Sequence, residues 1–148
     1  MQKKIKSPVL FIIFLVLSCA WIAFIFLRSA QPAVSSSEES GRLLSWLQQF
    51  FPWLTVFLIR KAAHFTEFFI LGALTSCTFR AAGIPHTLPA LLTGLVVAVS
   101  DELIQLTQEG RSCEVRDMCI DFAGAAFAAL VFFLIFYLYD RRKKSAAE

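Results

Sequence analysis

Apolar runs of membrane length dominate this chain, and ionisable side chains sit at one end of them. Lys61, His64 and Glu67 precede one run, Asp101, Glu102 and Gln105 close another, and Asp117 and Asp121 open a third, with Arg111 in the connection between. Few folds accommodate that arrangement. With 57% hydrophobic and 17% charged residues and sixteen Phe, and a mean hydropathy of +0.67, the 148-residue chain is too apolar for a soluble domain of its length. It reads as a membrane protein. A charged group in or near hydrocarbon costs from about three to over ten kcal/mol unless it is paired or faces water, so any function is expected at this polar set.

Pro8 to Leu27 is an uncharged run of spanning length, preceded by Lys3, Lys4 and Lys6 and followed by Arg28. A cleaved signal peptide, or a lipoprotein site ending at Cys19, is the competing reading; the run is too long and stays too apolar past Cys19, so a retained anchor is expected. Gln31 to Gly41 reads as a Ser-rich loop with Pro32, Glu38 and Glu39. Beyond it, Leu43, Leu47, Phe50 and Leu54 recur at helical spacing, and Trp46 and Trp53 suit the headgroup level. Pro52 is expected to break this amphipathic helix.

Phe68 to Phe79 is too short to cross alone: a dodecamer rises about 18 Å against about 30 Å of hydrocarbon. Its helix must therefore reach back through Glu67 and His64 toward Arg60. The next helix, from about Leu88, must likewise continue through Asp101, Glu102 and Gln105. The expected fold is all-α: one polytopic membrane domain over residues 1–148, with four transmembrane helices at about 8–27, 60–79, 88–106 and 117–139. An extracytoplasmic segment with an amphipathic helix is expected at about 28–58. Lys3, Lys4, Lys6, Arg80, Arg141, Arg142, Lys143 and Lys144 fall on one side; Arg28, Arg42, Arg60, Lys61, Arg111 and Arg116 fall on the other. The positive-inside rule then puts both termini in the cytoplasm of a bacterial plasma membrane and the polar set outside.

Periodicity assigns faces. Lys61, His64, Glu67 and Leu71 share one; Ala90, Gly94, Ala98, Asp101 and Gln105 another; Asp117, Asp121, Gly124 and Ala128 a third. Small residues at four-residue spacing let membrane helices approach closely, so tight packing below a polar rim is expected, whether the four spans are a complete bundle or half of an oligomeric one. Three readings of the rim stay open. Lys61 and Arg111, with Arg60 or Arg116, neutralise Glu67, Asp101, Asp117 and Asp121 in a purely structural network; Lys61, His64, Glu67, Asp101, Glu102, Gln105, Arg111, Asp117 and Asp121 form a binding pocket for an anionic group; or the site is catalytic, with His64, Glu67, Asp101 and Glu102 as candidates, the imidazole and carboxylates serving as general base or holding a divalent cation. One imidazole without a second imidazole or thiolate nearby is a weak zinc set and leaves only an oxygen-rich Mg or Mn site open; no metal or cofactor is assigned. Cys19, Cys77, Cys113 and Cys119 lack a CxxC spacing and are expected as free thiols. No Gly-rich phosphate loop or basic aromatic-interleaved patch points to nucleotide or nucleic acid.

Lys61-x-x-His64-x-x-Glu67-Phe68 followed by Leu71-Gly72, then Asp101-Glu102-x-x-Gln105, then Arg111 and Asp117, resembles the signature of the VanZ-like family, and Arg28-Ser29-Ala30-Gln31-Pro32 resembles that family's segment after the first helix. The resemblance covers nearly the whole chain. It implies a small bacterial integral membrane protein from a family whose best-known member is linked to teicoplanin resistance. Two departures stand out: Phe68 where the family commonly has Tyr, and Asp121 where it commonly has Asn. The expected partners are membrane lipids and either an envelope lipid or a lipoglycopeptide antibiotic; the alternative is a membrane-embedded hydrolase or transferase acting on an envelope lipid.

Overall fold

A computed structural model describes residues 7–146, and all their regular secondary structure is helical. The three N-terminal lysines invoked for orientation lie outside the described residues. Five helices follow in order: α1 (Pro8–Ser29), α2 (Ala33–Leu47), α3 (Val56–Ala81), α4 (Thr87–Leu106) and α5 (Val115–Ser145). Pro8 sits at the first position of α1, where its missing N–H costs nothing. Thr55 caps α3 by accepting the Leu58 N–H at 3.2 Å. Gly83 supplies the positive φ, 74°, that turns α3 into α4.

Three helices are long and apolar enough to cross a membrane: α1, α4 and α5, with mean hydropathies of 3.0, 1.6 and 2.4 over their best windows. The fourth expected span, α3, differs for a clear reason. Its charged residues near the start, Lys61, His64 and Glu67, are half-buried, because it is the helix against which α1, α4 and α5 all pack. Its 26 residues are about 39 Å long at 1.5 Å per residue. Among the described residues α1 and α5 do not touch; they flank the α3–α4 pair from opposite sides.

The Ser-rich stretch expected as a loop is instead the first half of α2. Tertiary ties hold it helical: the Ala33 N–H donates to the Glu109 carbonyl at 3.2 Å, and Arg28 at the end of α1 pairs with Glu39. At the other end, α5 continues past residue 139 through Arg141 to Lys144. Those side chains are good helix formers and sit favourably at a helix C-terminus.

Packing is inverted relative to a soluble domain. Apolar side chains such as Val9, Val16, Leu92, Val96, Leu130 and Leu138 are exposed, whereas Asp101, Glu102 and Asp121 are among the largest fully buried side chains. The core, Ile25, Phe68, Leu71, Val97, Ala98 and Ala125, is thin. Small residues close it. A methyl group at Gly94 would lie 2.6 Å from the Ala125 methyl, and one at Gly72 would lie 2.6 Å from the Ala125 carbonyl oxygen. Ala125 thus sits at the junction of three helices, which no larger residue at either glycine would permit.

Candidate functional site

One end of the bundle gathers the polar residues from four directions: Arg28 and Ser29 end α1, α3 begins with Arg60, Lys61, His64 and Glu67, α4 finishes with Asp101, Glu102 and Gln105, and α5 opens with Asp117 and Asp121. Helical spacing aligns each set on its inward face, and the close glycine contacts bring the faces together. Gly124 abuts the backbone of Phe65. That contact fixes the neighbours: one turn on, His64 Nδ1 and Asp121 Oδ1 are 3.1 Å apart.

Two groups of side chains result. In the first, Asp121 meets His64, while Asp101 accepts hydrogen bonds from the Ser29 hydroxyl and, at 2.7 Å, from the Gln105 amide. Asp101 and Asp121 are 1% and 0% exposed. In the second, Lys61 pairs with Asp117 and lies 3.9 Å from Glu114. Glu102 belongs beside it, accepting the Glu114 N–H at 2.7 Å and so holding the residue at which α5 starts.

The remaining cations behave differently. Arg60 and Arg111 form no ion pair among the described residues, and the Arg111 Nε is buried without a hydrogen-bond partner. Burial lowers the Arg111 pKa from its ordinary value; the positive charges of Arg60 and Arg28 lower it further, against the raising influence of Asp101 and Glu102. The three arginines converge on a small cleft of about 40 Å³, also lined by Ser36, Ser40, His64, Glu67 and Gln105. Beside it runs an apolar groove of about 480 Å³ walled by Trp21, Phe24, Leu43, Leu47 and Leu58. Ala63 and Glu67 line both. The Trp21 indole N–H donates to the Glu67 backbone carbonyl at 2.8 Å, fixing the wall between them.

Of the residues singled out from the sequence, His64, Glu67, Gln105 and Arg111 line the cleft. Asp101 and Asp121 lie buried with His64, each of the three offering a ligand atom within 4.8 Å of the others'. Lys61, Glu102 and Asp117 are drawn into the structural ties at the start of α5. Arg28, Ser29, Arg60, Ser36 and Ser40 were missed as site residues. For the first two the signal was present, since they begin the segment after the first apolar run. For the serines none was, because only the docking of α2 brings them to the cleft.

An all-helical chain with three helices able to cross a membrane, and a charged cleft closed over buried carboxylates at one end, defines a polytopic membrane protein with a polar site between its helices. The VanZ/LLP1 family model matches residues 14–137. The chain belongs to the VanZ-like family, which links it broadly to antibiotic resistance and the cell envelope. Neither the curated proteins nor the solved structures contain a match to it.

Proposed function

We propose that this protein is a four-span plasma-membrane protein, with both termini cytoplasmic, whose extracytoplasmic cleft engages an anionic amphiphile of the cell envelope or the acyl-bearing end of a lipoglycopeptide. The observation that carries the reading is the continuity of the arginine-lined cleft with the apolar groove through Ala63 and Glu67. A charged head and a hydrocarbon tail fit the two compartments side by side. At about 40 Å³ the cleft takes a small anion such as a phosphate or carboxylate, not a glycopeptide core; the acyl chain belongs in the groove.

Arg60 and Arg111 hold the anion. Lys61, given that role on sequence grounds, is already committed to Asp117. A purely structural network would pair its cations internally, as Lys61 and Arg28 are paired; Arg60 and Arg111 speak against that reading. The α3 helix serves as the fourth span, its polar face covered by α1, α4 and α5.

Two experiments test this. Binding of a fluorescent phospholipid with a phosphomonoester head to the purified protein in neutral-lipid nanodiscs is expected to weaken tenfold or more in Arg60→Gln/Arg111→Gln; unchanged binding would refute the cleft. In a teicoplanin-sensitive Gram-positive host with matched membrane levels, wild type is expected to protect against teicoplanin and His64→Ala not to. Absence of protection by wild type would remove the resistance role and leave lipid engagement standing.

A further inference from the structure

Beneath the cleft, the His64, Asp101 and Asp121 side chains form a cluster, and the lipid reading gives its two carboxylates no role. Each offers one ligand atom, a ring nitrogen or a carboxylate oxygen, and the three atoms lie within 4.8 Å of one another. The His64–Asp121 separation of 3.1 Å is the spacing of neighbouring ligands around an ion held at about 2.1 Å. Two further observations point to an occupant. Asp121 is fully buried, yet its Oδ2 has no hydrogen-bond partner. Neither Asp101 nor Asp121 has a lysine or arginine ion pair among the described residues; the nearest lysine, Lys61, is held by Asp117. Two buried carboxylates face one imidazole, and Arg111 acts on Asp101 only without an ion pair, so the negative charge is incompletely compensated in a low-dielectric bundle.

The surroundings suit a metal. Ligating carboxylates are characteristically hydrogen-bonded in turn, and Asp101 is oriented by Ser29 from α1 and Gln105 from α4. The three ligands come from α3, α4 and α5, helices whose approach is fixed by Gly72, Gly94 and Gly124. His64 also lines the cleft, so an ion here would have a side open to it.

We propose that His64, Asp101 and Asp121 bind a divalent cation at the floor of the cleft. One nitrogen and two carboxylate oxygens favour Mn2+, Fe2+ or Zn2+ over Mg2+ and Ca2+, which take oxygen ligands. The geometry stands apart from the lipid reading: the ion site survives if the cleft takes no amphiphile, and lipid binding by Arg60 and Arg111 survives if no ion binds.

The test uses the full-length protein in detergent, stripped with a chelator and titrated with Mn2+ while electron paramagnetic resonance follows the free ion. Saturable uptake of one ion per chain is expected, with pulsed measurements showing an imidazole nitrogen coupled to the bound Mn2+, and Zn2+ displacing it. The near-isosteric Asp121→Asn, and separately His64→Gln, are expected to weaken uptake tenfold or more at unchanged helical content, while Leu138→Ala, at an exposed position near the other end of α5, binds as wild type does. Wild-type protein that takes up no Mn2+ saturably, or takes it up without nitrogen coupling, or retains full uptake in Asp121→Asn, overturns the proposal. Should both variants fail to fold, nitrogen coupling in the wild type decides alone.

Discussion

Gly124 of α5 and Phe65 of α3 meet backbone to backbone: a methyl group on Gly124 would run into the Phe65 carbonyl oxygen and lie 3.1 Å from the Phe69 nitrogen. The contact lies one turn from the His64–Asp121 pair, so the closeness of two backbones sets the geometry of the polar site. Gly124→Ala is expected to force α3 and α5 apart and cost about 1–3 kcal/mol, as overpacked interiors do. Gly41→Ala is the opposite case. Nothing lies within 4 Å of a methyl there, and the helix gains up to about 1 kcal/mol from the better helix former. Thermal unfolding in detergent, followed by circular dichroism, reads both signs.

Lys61→Met leaves Asp117, 5% exposed, buried without its partner. A loss of about 3 kcal/mol is expected, in line with other half-broken buried pairs. Replacing both, Lys61→Met with Asp117→Leu, is expected to recover most of it, because the uncompensated charge is then gone. Chemical unfolding of the single and double variants separates a structural pair from a functional one: the double variant should be stable and should retain Mn2+ uptake.

Glu102 should act through the backbone it holds. Its Oε2 accepts the Glu114 N–H at 2.7 Å, a bond that the amide oxygen of Gln can also accept. Glu102→Gln is therefore expected to keep the start of α5 protected, while Glu102→Leu leaves the donor unpaired at a cost of about 1–3 kcal/mol. Amide hydrogen exchange at Glu114 should accelerate in the second variant alone.

The docking of α2 carries a pH dependence of definite sign. The Arg28 hydrogen bond, and then its charge, lowers the Glu39 pKa below the ordinary carboxylate value. A depressed folded-state pKa contributes stability that is fully present above the unfolded-state value and is lost as pH falls through the folded-state value. Docking is thus expected to be constant from neutral pH down to the ordinary carboxylate value, and to loosen progressively as pH falls from there through the depressed folded-state value. Spin-label distances between α2 and α3 should show the release, and Arg28→Gln should remove its pH dependence.

Much of this molecule is legible in one dimension. Ala90, Gly94, Ala98, Asp101 and Gln105 are all buried, as are Asp117, Asp121, Gly124 and Ala128, because a period of 3.6 assigns residues to a helix face whatever the helix packs against. The polar character of the site follows equally from sequence, since ionisable residues amid apolar runs stand out by cost alone. Periodicity revealed only the second half of α2, through Leu43 and Leu47; its Ser-rich first half has weak helical preference and is tied down by Arg28 and by the Glu109 carbonyl.

The sequence by itself determined the class of the protein, four of its five helices and the inward faces of α3, α4 and α5, because hydropathy and periodicity are properties of a single segment. Only the tertiary structure decided partners. Lys61 goes to Asp117 and not to the cleft, Ser29 reaches Asp101 across 72 positions of chain, and Arg60 and Arg111 are left lining the cleft. Rotation and offset between helices make those choices. They are set where Gly72, Gly94 and Gly124 allow backbones to touch, and a face cannot know its neighbour until that contact is made.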